Sequence, residues 1–280
     1  CSGDTTALVT LSSTTPGVNF SWTATSNAIL LGDISTFTTS GTNTIPVQTL
    51  VNSTASAITI TYVATASTSV GSTCLGASFN YTITVKPKPA IANITAPDIC
   101  SGTSFNVTPS SSSPNINPTG TTYSWSAPTV TGSLTGGALA TGQSSIAGTL
   151  TNPTNVPQTA TYTVTPTSGS WTGPTFTVVA TINPKPVVPN QTATICSGTA
   201  FTTAPSNAAP TTIIPTGTTY TWTVAPNANV TGESDQGVGQ SSISQTLTNT
   251  TNTAQTVVYT VTPTSGDAGS CVGSTFTITV

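Results

Sequence analysis

The sequence predicts an all-β protein, three tandem β-sandwich modules joined by short Pro-rich linkers. Three observations predict it. Blocks of similar sequence recur at offsets of 99 and 96 residues, from Cys1 to Cys100 and from Cys100 to Cys196, the length of one sandwich. Apolar residues alternate with Thr at period two, the pattern of a strand with one buried face. No stretch has a 3.6-residue period, and 21 Pro and 23 Gly punctuate the chain at the short intervals that turns between strands require.

Each copy reads in the same order. It opens on Cys1-Ser2-Gly3, on Cys100-Ser101-Gly102-Thr103 or on Cys196-Ser197-Gly198-Thr199. An aromatic-x-Trp strand follows: Phe20-Ser21-Trp22, Tyr123-Ser124-Trp125, Tyr220-Thr221-Trp222. Trp22, Trp125 and Trp222 are expected to anchor the cores, as the lone Trp of immunoglobulin-like sandwiches does. A strand running into a polar turn comes next, at Thr49-Leu50-Val51-Asn52, Thr149-Leu150-Thr151-Asn152 and Thr246-Leu247-Thr248-Asn249. Tyr62, Tyr162 and Tyr259 then sit in Thr/Val-rich strands and are expected in the core. The closing strand alternates, as in Phe276-Thr277-Ile278-Thr279-Val280, with Phe276, Ile278 and Val280 facing inward. Between copies stand Lys86-Pro87-Lys88-Pro89 and Pro184-Lys185-Pro186, where proline fixes φ and removes donors, so these linkers should be short, extended and stiff. The boundaries expected are 1–86 for the first module, which lacks its first strand, 87–184 for the second and 185–280 for the third.

Composition narrows function. With three basic residues, six acidic and no histidine, little charge is available for chemistry. Three cations cannot drive counterion release on a nucleic acid or hold an anionic membrane surface, and no run of about 18 apolar residues exists to cross a bilayer as a helix. Neither partner is expected. A Ser-His-Asp nucleophile has no base to serve it, and the close acidic pair Glu233 and Asp235 lies in one Gly/Ser-rich segment that the other modules lack, which reads as a solvated loop. No enzyme, cofactor or metal site is expected. Trp171 stands outside the core pattern and is the candidate for stacking on a sugar.

The cysteines leave two arrangements open. Cys74 and Cys271 share one slot before the closing strand, and the middle copy has Trp171 there instead. The economical pairing is within modules, Cys1 with Cys74 and Cys196 with Cys271, leaving Cys100 as a free thiol in a chain that otherwise looks oxidised and secreted. Against it, immunoglobulin topology puts the end of the first strand and the loop before the last strand at opposite poles, beyond the roughly 7 Å that a bridge can span between Cα atoms. The alternative is a bridge between neighbours, Cys100 with Cys271.

The runs Ile195-Cys196-Ser197-Gly198-Thr199, Tyr-x-Trp, Tyr-Thr-Val-Thr-Pro and Phe-Thr-Ile-Thr-Val, with Lys-Pro-Lys-Pro or Asn-Pro-Lys-Pro linkers, resemble the PKD-like and immunoglobulin-like repeats of Bacteroidota surface proteins. The resemblance covers all three modules. It implies an extracellular, cell-surface location and a giant adhesin of the gliding-motility type, similar to SprB-like mobile adhesins exported by type IX secretion. The expected role is a stalk or filament shaft whose partners are neighbouring repeats of the same longer chain. The rivals are carbohydrate-binding modules appended to a secreted enzyme, with surface polysaccharide as partner, and a self-assembling fibre subunit whose partners are further copies of itself.

Overall fold

The computed structural model describes residues 1–26, 38–68, 74–266 and 269–280. The described residues are strands, turns and loops with no helix, and the buried apolar side chains fall into three separate cores. The cores lie within residues 22–85, 91–182 and 188–278.

The middle module shows the plan. Its larger sheet runs Ala140–Gln143, Thr122–Trp125, Gln158–Ser168, Phe176–Asn183, the last also pairing in parallel with Ile94–Thr95 and Ile99–Cys100. The facing sheet is Thr135–Gly136, Ile146–Thr151 and Ser104–Val107. The third module repeats this with Gln236–Gln240, Thr219–Ala225, Val258–Thr264, Phe276–Thr279 and the parallel Gln191–Thr192, facing Thr199–Thr203, Ile243–Asn249 and Val230–Thr231. In the first module Ser40–Thr42, Val18–Ser26, Ile58–Thr68 and Cys74–Val85 form the larger sheet, and Val9–Thr10 pairs with Thr44–Ile45.

Period-two patterning places the core. Along Ile58–Thr68, residues Ile58, Ile60, Tyr62 and Ala64 are at most 1 % exposed while the intervening residues are half-buried. Ala160, Tyr162 and Val164, and Tyr259 and Val261, do the same in the other copies. Trp22, Trp125 and Trp222 are buried against this strand, each indole N–H donating to a backbone carbonyl, of Thr44, Ala138 and Ser234. Trp22 and Trp125 lie edge-on to Tyr62 and Tyr162, at centroid distances of 5.4 and 6.3 Å, the geometry the ring quadrupoles favour.

The linkers are packed. Pro87, Pro89, Pro184 and Pro186 are buried while Lys86 and Lys88 are exposed. Beyond each linker the chain enters the next module through a paired bridge: Ala90 and Ile116 exchange two N–H to O=C bonds of 2.8 Å, and Val187 and Ile213 do likewise. The hairpin before the closing strand is clamped on the linker at a glycine. A Cβ on Gly173 would meet the Pro89 carbonyl oxygen, and one on Gly273 would meet that of Pro186. Only glycine allows so close a backbone approach.

Candidate functional site: the module junctions

The Cys-Ser-Gly opening is a turn latched to the pole where each module hands over to the next. The Thr103 N–H and hydroxyl both donate to the Cys100 carbonyl, at 3.0 and 2.6 Å, and Gly102 takes φ +80°. Gly198 does the same at +78°, with Thr199 donating to Cys196. Positive φ is the reason for glycine here. The turn is tied from two sides. Ser101 N–H donates to Asn183 O, and Gly102 N–H to Leu150 O, both at 2.8 Å. The Ser101 hydroxyl in turn accepts from Asn152 N–H at 2.9 Å.

Asn152 is the hub of this latch. It is 2 % exposed, and its side chain makes all four bonds an amide can make. Nδ2 donates to Val156 O and Ile182 O, and Oδ1 accepts from the N–H and the hydroxyl of Thr154. Asn52 repeats the arrangement, donating to Ser56 O and Val85 O and meeting the Ser2 hydroxyl through its N–H. Asn249 meets Ser197 in the same way. The latch fixes where the cysteine of each opening stands: on the end of the closing strand, beside the linker.

Across the linker stands the hairpin of the next module. Cys74, Trp171 and Cys271 each precede by five residues an aromatic of the closing strand, Phe79, Phe176 and Phe276, of which Phe176 and Phe276 are buried and Phe79 is 44 % exposed. At the junction of modules two and three, Cys271 meets Cys100 in a disulfide, with Cα atoms 5.6 Å apart, inside the range a bridge accepts. Cys271 is 1 % exposed; its N–H is held by the Ser265 hydroxyl at 3.0 Å and its carbonyl accepts from Ser265 N–H at 2.9 Å.

This corrects the within-module pairing. Cys100 is not a free thiol, and the pairs Cys1–Cys74 and Cys196–Cys271 do not form; Cys1, Cys74 and Cys196 are the free cysteines. The reason is the polar geometry of the sandwich: the Cys-Ser-Gly turn and the last hairpin of one module sit at opposite ends, whereas the turn of one and the hairpin of the next face each other across the linker.

The junction of modules one and two fills the same slot without a bridge. Trp171 is half-buried, and the Lys86 Nζ lies over its ring at 5.1 Å from the centroid, a cation–π contact. Cys1 stands beside it, its Sγ 3.5 Å from the Lys86 carbonyl. Lys86 occupies the linker position that Asn183 takes at the other junction. Trp171 is therefore a junction contact with its ring engaged by a cation. The sequence blocks contain Lys86 and the Ser and Asn of the latch, but gave none of them, nor Gly173 and Gly273, a role at the junction; the signal was their recurrence in register with the cysteines.

The remaining polar residues brace loops. Asp235 Oδ1 accepts from Val224 N–H at 2.8 Å and Glu233 Oε1 from Asn227 N–H at 3.3 Å. Among the described residues, no three of His, Cys, Asp or Glu gather as metal ligands would. Burial raises the Tyr62, Tyr123, Tyr162 and Tyr220 hydroxyls above their ordinary value. Tyr259 is pushed up to about 12, by burial first and by the Glu233 charge second.

Comparison with curated proteins finds no match. Among solved structures, the FN1–FN3 domains of chicken CNTN1 are 12 % identical, with 94 % of this chain and 88 % of that one covered at a TM-score of 0.34. Human CDH23 EC21–23 is 11 % identical, covering 94 % and 89 % at 0.33. The endo-fucoidan hydrolase MfFcnA4 of glycoside hydrolase family 107 is 11 % identical, covering 98 % of this chain and 38 % of that one at 0.26. Scores this low carry no inference about role. The sequence profile of the PKD-like domain, by contrast, matches residues 1–89, 97–186 and 193–280 in turn, each match holding one Cys-Ser-Gly turn, one core Trp and, at one shared position, a core Tyr (Tyr62, Tyr162 or Tyr259), so the chain belongs to the PKD-like domain family, in three tandem copies.

Proposed function

We propose that this chain is a segment of an extracellular shaft, a row of non-enzymatic modules that sets adhesive contacts at a distance from a bacterial cell surface. The observation that carries this reading is the Cys100–Cys271 bridge between neighbouring modules. A bridge inside a module adds to the stability of that module; a bridge across a junction fixes the direction in which the next one points. Buried linker prolines, the glycine clamps and the Trp171–Lys86 contact act to the same end. A persistent disulfide fits an oxidising, extracellular setting. The finer reading is a repeat segment of a giant adhesin of the gliding-motility type, exported by type IX secretion, supported by the three PKD-like copies and the resemblance of their motifs to Bacteroidota surface repeats. Its partners are then neighbouring repeats.

Small-angle scattering of the chain with and without reductant tests the shaft. An extended rod is expected under oxidising conditions, with a broader spread of end-to-end distances after reduction as modules two and three begin to hinge. A compact particle, or a chain as flexible before reduction as after it, would remove the reading.

A further inference from the structure

Packing closes the bridged junction but leaves a groove at the unbridged one. The groove measures about 420 Å³ and lies between modules one and two, with Ser56 on one wall, Pro87 of the linker at its base, and Thr119, Ser168 and Trp171 on the other wall. It combines three kinds of chemistry. Trp171 offers a flat apolar ring that is half-buried, whereas Trp22, Trp125 and Trp222 are spent in the cores. Ser56, Thr119 and Ser168 contribute hydroxyls. Lys86 supplies a cation: it is exposed, its Nζ lies 5.1 Å from the Trp171 centroid, and among the described residues no carboxylate is paired with it. Lys88, also exposed, continues the positive charge along the linker, in a chain whose net charge is -3. At the other junction the positions of Lys86 and Trp171 hold Asn183 and the bridged Cys271, neither a cation nor a ring.

We propose that this groove binds an acidic polysaccharide, a strand of uronic acid residues, with one pyranose stacked on Trp171 and its carboxylate held by Lys86. The C–H face of a pyranose is flat and apolar enough to lie on an indole, while its hydroxyls need polar partners such as those of the walls. A neutral sugar leaves the cation without a use, and a bare anion leaves the ring without one. The acid group of a uronate is carried on the sugar ring itself, within reach of an ammonium that lies over the same indole; a sulfate ester stands farther off, on an oxygen.

The contact between Lys86 and Trp171 does not stand in the way. An exposed cation–π contact is weak, and a carboxylate offers the ammonium a stronger, charge-assisted hydrogen bond, so Lys86 moves from the ring to the acid group as the sugar takes its place. The inference rests on the reading of the chain as a shaft and names what the side of that shaft meets. Because the walls belong to different modules, a sugar strand in the groove also ties module one to module two at the junction that has no disulfide.

The test titrates the whole oxidised chain with a galacturonic acid hexamer, followed by tryptophan fluorescence and by calorimetry, with the neutral galactose hexamer and a sulfated galactose oligomer as comparison arms. Saturable binding of the galacturonate is expected, with a fluorescence change from Trp171, the tryptophan outside the cores, and with an affinity that falls as salt is raised. Lys86→Gln should weaken binding about tenfold, and Trp171→Ala about tenfold or more. Lys86→Arg and Trp171→Tyr keep the charge and the ring and should bind within about threefold of the unaltered chain. Cys271→Ser, which opens the other junction, should bind as the unaltered chain does. Lys86→Gln leaves the ring and the linker prolines in place, so its loss of binding with an unchanged melting curve reads the groove and not the fold. Absence of binding, equal or tighter binding of the neutral or the sulfated arm, or unchanged affinity in Lys86→Gln and Trp171→Ala overturns the proposal. Scattering reads the shaft independently: a straight rod that ignores galacturonate rejects the groove and leaves the shaft standing, and a chain that binds it through Lys86 and Trp171 without being a rod keeps the groove and rejects the shaft.

Discussion

One residue position separates the three cores. The Tyr62 hydroxyl accepts from the buried Gln48 amide at 3.1 Å, and the Tyr259 hydroxyl donates to Gln245 at 2.8 Å; the middle copy has Gly148 where the others have glutamine, and the Tyr162 hydroxyl is buried without a partner. An unpaired buried polar atom costs about 1–3 kcal/mol, and removing a hydroxyl that bonds to nothing recovers part of that. Tyr62→Phe should therefore destabilise module one by about 1–2 kcal/mol, since the Gln48 N–H loses its acceptor, while Tyr162→Phe should leave module two unchanged or slightly more stable. In thermal unfolding the first change lowers the melting point of its module by roughly 5–10 °C. Equal losses in both would show that the two hydroxyls are equally well satisfied. The same tyrosines set the alkaline limit. Below pH 10 the folded and unfolded chains both keep the phenolic proton and nothing is lost. Above it the unfolded chain releases protons that the folded chain holds, so stability falls as pH rises, and for Tyr259 the fall continues to about 12, roughly 3 kcal/mol by linkage. Absorbance at 295 nm should show buried tyrosines ionising only together with unfolding, and urea midpoints should drop from pH 10 upward; a folded chain whose tyrosines all titrate freely near pH 10 would contradict this.

At the scale of the element, the latch ties strand ends that belong to different sheets. Asn152 links the strand Ile146–Thr151 to the closing strand Phe176–Asn183 and, through Ser101, to the turn that carries Cys100. Asn152→Ala removes four side-chain bonds at a site 2 % exposed, and should cost module two about 3 kcal/mol. The same change at the half-buried Asn249 should cost less, about 1 kcal/mol, and denaturant midpoints of the two variants measure the difference. A cost as small at Asn152 as at Asn249 would mean the latch is dispensable. The strands around the latch were legible in the sequence because alternation reports burial directly: Tyr62, Tyr162 and Tyr259, and the three Trp, lie in the strand patterns that predict them. The cysteine pairing was not. Alignment of the repeats shows that Cys74 and Cys271 share a slot, but a slot carries no statement about which pole it occupies, and within a module the favoured pairing would have to run the length of the sandwich. Nor did sequence show that Lys86-Pro87-Lys88-Pro89 would be gripped by Gly173. Proline composition predicts stiffness; the docking comes from a hairpin of the next module, 84 residues beyond Pro89.

Over the whole molecule, the placement of the bridge decides which residues bear load. Tension applied at residues 1 and 280 runs along the backbone to Cys100, crosses the disulfide to Cys271 and leaves by the closing strand of module three. The stretch between the two cysteines, which are 171 positions apart in sequence, makes up most of two modules and lies off that path. Module one has no such shield, because its junction is made by Trp171 and Lys86, a contact that yields under force as a covalent bond does not. Single-molecule stretching of the oxidised chain should therefore show one full unfolding step, from module one. Modules two and three should yield only the short segments outside the bridge. Adding reductant should expose the hidden stretch and lengthen the fully extended chain by roughly 600 Å, at about 3.5 Å per residue, in two further steps. Cys271→Ser should give the long trace without reductant, and Cys74→Ser, which leaves the inner bridge intact, should give the short one. An extension that is the same before and after reduction would show that the load does not pass through Cys100 and Cys271, and the shaft would then owe its strength to the noncovalent packing of the junctions alone.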